Sequence, residues 1–276
     1  MRKGQWSYGQ AAPVQLSFDG PVAHLALNRP EKLNAINGQI IVQIPAAARA
    51  IRKNRQIRAV VLSGNGTDFS SGTDIREVFG RRLWVAKSLL GRPWQGANAF
   101  QEAFWSLRRL PVPVIAVIRG RAYGAGAQLA LAADMRIAHP DAELSIMEAQ
   151  WGLIPDMTGS VALSQLVGID QAKRLTMTAE KLTAQRAKDL GLLTEIAVDP
   201  GLAAVELAHQ LASRSPDAVA AAKRLLDVAY GSSPGKALRT ERYLQWRLIL
   251  GRNAAIARRA GLQQIAPRFL ARQLWK

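Results

Sequence analysis

The chain has no cysteine among its 276 residues. Disulfides, thiolate nucleophiles and Cys-based metal sites are therefore excluded. Histidine is scarce as well. His24, His139 and His209 stand far apart and outside ligand spacing, so no metal site is expected and each histidine reads as structural. No apolar run approaches the roughly 18 residues of a membrane span. The opening stretch MRKGQWSYGQ lacks the apolar segment of a signal peptide. A cytoplasmic chain without membrane attachment is the expectation. Aromatic residues make up only 6% of the chain and few are interleaved with cations, so a stacking platform for single-stranded nucleic acid is not indicated.

Negative charge is the other deficit. There are 20 acidic against 37 basic residues, a net charge of +17. From Lys236 to Lys276 the only acid is Glu241. A polyanion surface, for nucleic acid or a phosphate-bearing substrate, is one reading of this excess. A solvated basic surface is the other. The cations fall at irregular spacing with no nucleic-acid motif around them, so the second is favoured and a nucleic-acid partner is allowed but not favoured.

Several catalytic and nucleotide signatures are also missing. No G-x-x-x-x-G-K-[ST] and no G-x-S-x-G occurs. Gly124-Ala125-Gly126 begins a G-x-G-x-x-G pattern, but Leu129 stands where the third glycine belongs.

What is present is a strand-rich core followed by helices. VQLSFDGPVAHLALNRP reads as two strands around Asp19-Gly20. A helix is expected from Asn34 to about Arg52, a buried strand over 58–64, and a helix capped by Thr73 or Asp74 from Ile75. Residues 76–110 are helical but irregular, with a break at Gly91-Arg92-Pro93. Strand 112–120 leads into YGAGAQLALAAD and a helix to about Ala133. MRIAHP and AELSIME read as short strands, helices follow Thr158 and Thr183, and LLTEIAV reads as a late strand. Beyond Asp199-Pro200-Gly201 the pattern is helical, with Ser215 as a cap, Pro216 at the first helical position and Gly231 as a stop. A core over 1–203 and a helical C-terminal segment over 204–276 are expected.

The core uses one device twice: a strand, a glycine bend at Ser71-Gly72 or Gly124-Ala125-Gly126, then a helix. Each bend is open to two readings. It only turns the chain, or it offers free backbone N–H groups at a helix start, where negative charge is favoured. Two such groups meeting at one point would make an oxyanion hole.

LNRPEKLNAIN (27–37), FSSGTDIRE (69–77), GRAYGAGAQLALAADMRIA (120–138) and EAQWGLIPD (148–156) occur in the order and spacing of the crotonase superfamily, the enoyl-CoA hydratases and isomerases. LTMTAEKLTAQRAKDLGLLTEI (175–196) is similar to that family's continuation. The resemblance runs from about Val14 to Val198 and is weaker in the helical tail. It implies an α/β fold, a spiral of ββα units with a C-terminal all-helical segment used for assembly, and homotrimers often paired into hexamers. It implies no permanently bound cofactor, with coenzyme A entering as part of an acyl-CoA substrate thioester. The oxyanion donors it implies are the backbone N–H groups of Ser71 and Ala125. Lys32, Leu33, Asn34, Asp74 and Ile75 match positions around coenzyme A.

The family's hydratases carry two glutamates. Here Gln128 stands at the first place and Glu148 at the second. An amide can orient a water or a substrate oxygen but cannot act as a base, so the chain departs from the hydratase pattern. One carboxylate is enough for a double-bond shift, as in the simple enoyl-CoA isomerases. Asp156, eight residues after Glu148, matches an aspartate of the dienoyl-CoA isomerases. It also reads as a helix cap, as does Thr158. Glu148 is either a solvated strand end or a carboxylate sheltered by LSIME and Trp151, with a raised pKa. The resemblance therefore implies an isomerase of enoyl- or dienoyl-CoA, with Glu148 as acid/base, Asp156 as partner and Gln128 as positioning group. The alternatives are a weak or specialised enoyl-CoA hydratase, a basic RNA-binding protein of the same fold, and a catalytically silent assembly subunit. Residues 76–110, with Phe79, Leu83, Trp84, Trp94 and Phe100, are expected to shape the acyl pocket or a mobile lid.

Overall fold

The computed structural model describes residues 12–80, 82–90 and 96–275. The two expected strands, β1 (Val14–Asp19) and β2 (Val22–Leu27), form an antiparallel hairpin, with Asp19 paired to Val22. Helix α1 (Gly38–Lys53) starts four residues later than expected, because Leu33 and Asn34 take left-handed φ values of +50° and +54°. Its cap is Asn37, whose side chain accepts from Ile40 N at 3.1 Å. Strand β3 (Ala59–Gly64) leads to the short helices α2 (Ile75–Gly80) and α3 (Arg82–Leu89). Asp74 caps α2, its Oδ1 accepting from Glu77 N at 3.2 Å. The expected break at 91–93 lies outside the described residues. Helix α4 (Ala99–Arg108) carries a capping box between Asn98 and Gln101.

Strands β4 (Val114–Ile118) and β5 (Arg121–Tyr123) precede α5 (Ala125–Leu131), β6 (Met135–Ala138) and β7 (Glu143–Ser145). Helices α6 (Gly159–Leu166) and α7 (Ile169–Thr178) follow, then β8 (Leu182–Thr183), α8 (Ala184–Asp189) and β9 (Glu195–Ile196). The last helices are α9 (Pro200–Ala212), α10 (Pro216–Tyr230), α11 (Pro234–Ile249) and α12 (Arg252–Gln263). AELSIME is strand only as far as Ser145; Glu148–Trp151 forms a 3-10 turn.

One sheet has the order β1-β2-β3-β4-β6-β9 and is parallel except for the first pair; a smaller one has the order β5-β7-β8. The large sheet is covered on both faces, and the period of two explains its apolar runs. Val60, Leu62, Val114, Ala116 and Ile118 join the main core beneath α1 and α4. The alternate residues Ala59, Val61, Ile115 and Val117 meet Ala204 and Ala208 of α9 on the other face. The expected boundary at 203 thus falls inside a helix that belongs to the core. Once both faces of the sheet need cover, α9 cannot be part of a separate unit.

The C-terminal segment also returns to the core. Arg272 is fully buried and donates from Nη2 to Arg52 O at 3.0 Å, so this tail cation is an internal tie rather than surface charge. Arg136, 3% exposed, does the same with Leu192 O and Ala133 O. Buried Asp217 accepts from Gln273 N at 2.7 Å, Leu274 N at 2.8 Å and Asn253 Nδ2 at 2.7 Å. Removing such a hub leaves buried donors unpaired. Asp217→Ala is expected to cost about 1.5–3 kcal/mol or more, read as a lowered urea midpoint with an unchanged slope. A change below about 0.5 kcal/mol, the range of ordinary surface substitutions, would show that the tail is anchored elsewhere.

Candidate active site

The two glycine bends lie side by side. Parallel bridges join Ser70 to Ala122 and Ile36 to Thr73. Asn34, fully buried, braces the first bend: it donates to Asn65 O at 2.9 Å and Asp68 O at 2.7 Å, and accepts from Arg29 N at 2.9 Å. Gly72 has φ +100°, and a Cβ there would meet Tyr123 O at 2.9 Å. A Cβ on Gly126 would stand 2.7 Å from the Ser70 side chain. Both glycines are required for the bends to touch.

The backbone donors differ from the expectation in one place. Ser71 N–H donates to Leu33 O at 2.9 Å and is not free. Gly72 N–H reaches Ser70 Oγ at 3.2 Å, and Asp74 N–H reaches Ile36 O at 2.9 Å. Within Ser71–Asp74, Thr73 N–H is the one without a partner among the described residues. The parallel bridge explains this: it uses the peptide groups on either side of Thr73 and turns its N–H away. Ala125 opens α5, and its N–H is one of the unpaired donors of a helix start. Thr73 and Ala125 therefore each offer a free donor, whereas the expected Ser71 donor is taken by Leu33 O.

Glu148 sits beside the second bend. It is 8% exposed, and its Oε1 lies 3.4 Å from where a Cβ on Gly124 would be. The strand-end reading is overturned. Trp151 is not the shelter, for it is 59% exposed; the carboxylate lies against Gly124 and Gln128 instead. Gln128 is 1% exposed, and its Nε2 donates to Glu148 Oε1. Its Oε1 accepts from Met157 N at 2.9 Å and Gly159 N at 3.0 Å. The amide is thus a clamp between the carboxylate and the start of α6, with its oxygen already engaged by the backbone. Glu148 Oε2 is buried and has no hydrogen-bond partner.

Neither expected cap of α6 forms: Thr158 stands at the cap position with φ +74° and no side-chain bond, and the cap acceptor for Gly159 N–H is Gln128. Asp156 is left half-buried and close enough that its charge acts on Glu148. Burial pushes the Glu148 carboxyl above its ordinary range, and Asp156 adds to that; its own backbone N–H and the Gln128 amide pull the other way. Burial also raises Asp156.

The positions matched to coenzyme A divide in two. The Asn34 side chain is spent on the bend, and Asp74 is held by Arg29 at 3.2 Å as well as by its capping bond. Lys32 is exposed at the end of a 3-10 turn, and Leu33 and Ile75 are half-buried. An apolar cavity of about 670 Å³ adjoins Asp156, lined by Trp105, Ile154, Pro155, Val161 and Leu163 among others. Gly96, Ala97, Gln101 and Trp105, from the 76–110 segment expected to shape an acyl pocket, also line it, but Leu83, Trp84 and Phe100 do not. Leu83 is 89% exposed, while Trp84 and Phe100 pack edge to face at 5.4 Å. Trp94 and the Phe79 side chain lie outside the described residues. Nothing in the sequence marked the walls from α6 and α7, because only the tertiary fold brings those helices against α4. Among the described residues there is no cluster that could hold a metal ion, and no helix is long and apolar enough to cross a membrane.

The chain matches the family model described as enoyl-CoA hydratase/isomerase over residues 17–258. It is 32% identical to the short-chain-enoyl-CoA hydratase of Clostridium acetobutylicum, over 78% of this chain and 80% of that protein. It is 33% identical to the mitochondrial Delta(3,5)-Delta(2,4)-dienoyl-CoA isomerase of Rattus norvegicus, over 73% of this chain and 64% of that one. The crystal structure of an enoyl-CoA hydratase from Polaromonas sp. JS666 superposes with a TM-score of 0.85 at 30% identity, covering 93% of this chain and 99% of that chain. The α/β core with its helical C-terminal segment is the crotonase fold, and the chain belongs to the enoyl-CoA hydratase/isomerase family.

Proposed function

We propose that the chain moves a carbon–carbon double bond in an enoyl- or dienoyl-CoA thioester. The observation that supports this most is the state of Glu148. One carboxylate oxygen is clamped by a neutral amide, the other is buried and unpartnered, and no second carboxylate stands at position 128. In this reading Oε2 takes a proton alpha or gamma to the thioester. The thioester oxygen gains the charge and is held by the N–H groups of Thr73 and Ala125. The same carboxyl then returns the proton to a different carbon, so no water is consumed. Asp156 serves the far end of a conjugated substrate. Gln128 aims Glu148 and fixes the loop carrying Asp156. Lys32, Leu33 and Ile75 are the coenzyme A contacts, with Asn34 and Asp74 holding the walls. Assembly through the helical segment belongs to this reading; Tyr243 and Trp246 in the C-terminal half of α11 and Leu250 just after it are exposed.

Hydration is the second reading. Asp156 is a second carboxyl near Glu148, and some relatives are named hydratases. A screen of short and long enoyl-CoA and dienoyl-CoA thioesters, following hydration and migration separately, decides. Migration is expected to dominate on at least one substrate. Hydration dominating on every substrate would replace the isomerase reading.

The donor assignment has its own test. Ala125 occupies the first helical position, where proline is tolerated, so Ala125→Pro removes the N–H with little other damage. Turnover is expected to fall by about 100- to 1,000-fold, as for loss of an oxyanion donor. Ala125→Ser keeps the N–H and should stay within a few-fold of wild type. Equal losses in two variants with unchanged circular dichroism would mean that volume at 125 matters, not its N–H.

A further inference from the structure

A second concave site lies away from Glu148. Between the C-terminal halves of α1 and α4 and the side of α10 is a cleft of about 660 Å³. Six cations line it: Arg49 and Arg52 from α1, Arg108 and Arg109 at the end of α4, Lys223 and Arg224 from α10. The carboxylates within reach are already used. Glu102 pairs with Arg109, Asp227 lies 3.6 Å from Arg108, and Asp134 lies 2.7 Å from Lys223. Arg49, Arg52 and Arg224 have no carboxylate at ion-pairing distance among the described residues. Arg52 donates to the backbone carbonyl of Arg109 at 2.6 Å, which holds two guanidinium-bearing residues together. Burial, and then the like charge of Arg109, lower the Arg52 pKa, and the Glu102 carboxylate offsets part of this. Six cations facing three carboxylates leave an excess of positive charge in a partly enclosed cleft, which is costly until an anion enters.

We infer that this cleft binds a diphosphate group, free or carried by a nucleotide. Guanidinium forks match phosphate oxygens in geometry as well as charge. Cations approaching from three separate helices suit an anion with two charged centres better than a single point charge. The enclosed shape favours a small ligand over a nucleic-acid strand. The acyl-CoA substrate also carries a diphosphate, so the test must separate the two sites.

The test is calorimetric titration of the full chain with pyrophosphate, ADP and adenosine, with and without a saturating saturated acyl-CoA. One site per chain is expected for pyrophosphate and for ADP, and none for adenosine. Binding should persist when acyl-CoA is bound. Arg49→Ala and Arg224→Ala should each weaken it by about tenfold, the usual scale for a lost charged hydrogen bond, without altering thioester turnover. Binding that acyl-CoA abolishes, that adenosine reproduces, or that survives the double substitution would overturn the inference. So would the absence of saturable binding by either phosphate compound, or preference for RNA over both.

Discussion

Glu148→Gln is expected to reduce turnover by about 100- to 10,000-fold, the usual contribution of general acid/base catalysis, while thioester binding survives. The amide is nearly isosteric and keeps an oxygen for the bond from Gln128 Nε2, so the local fold is retained. What it loses is the proton-accepting lone pair of buried Oε2. Activity within a few-fold of wild type, with binding intact, would remove Glu148 from the chemistry. The pH dependence of the native protein supplies a second check. Burial and Asp156 raise the Glu148 pKa, and the base must be deprotonated to act. The rate should therefore fall on acidification at a pH above the ordinary carboxylate range. Asp156→Asn removes one raising charge and should move that limb to lower pH. A limb that stays in place would mean that Asp156 does not act on the working carboxyl.

Gln128→Glu is expected to raise hydration relative to double-bond migration and to shift the acid limb upward. One oxygen of the new carboxylate can accept from Met157 N and Gly159 N, as the amide oxygen does now. The other replaces a donor that faces Glu148 Oε1. Two carboxylates at that separation share a proton, which raises one apparent pKa. The pH–rate profile belongs to the pair, so the limb is read as an apparent value for both. With both groups in play a water gains a second acid/base group, the feature that a neutral amide denies it. The amide also lowers the Glu148 pKa by donating to it, and the substitution removes that effect. A folded, thioester-binding variant with no gain in hydration at any pH from about 5 to 9, a range bracketing carboxylate and histidine titration, would show that position 128 only caps α6.

The sequence by itself determined the family and most of the element order. Its motifs carry side chains and glycines whose spacing is fixed locally: the Asp19-Gly20 hairpin, the buried strands over 59–64 and 114–118, and the two glycine bends. Local rules also found Asp74 and Ser215 as caps, because those bonds span three residues. Where the reading failed, the deciding bond crossed the chain. Ser71 looked like a free donor until Leu33 O, far back in sequence, took its N–H and the bridge to Ile36 left Thr73 exposed instead. Asp156 and Thr158 looked like caps until Gln128, some thirty residues earlier, supplied the acceptor. Asn34 and Asp74 matched a ligand site by motif, but tertiary partners had already claimed their side chains. The boundary near 203 followed a real change of composition, yet α9 was needed to cover the second face of the sheet. Amide hydrogen bonds are short-ranged and directional, so an assignment depends on which group arrives within about 3 Å. Sequence spacing settles that only within a turn or a cap; for Gln128, Thr73 and Glu148 the tertiary structure decided it.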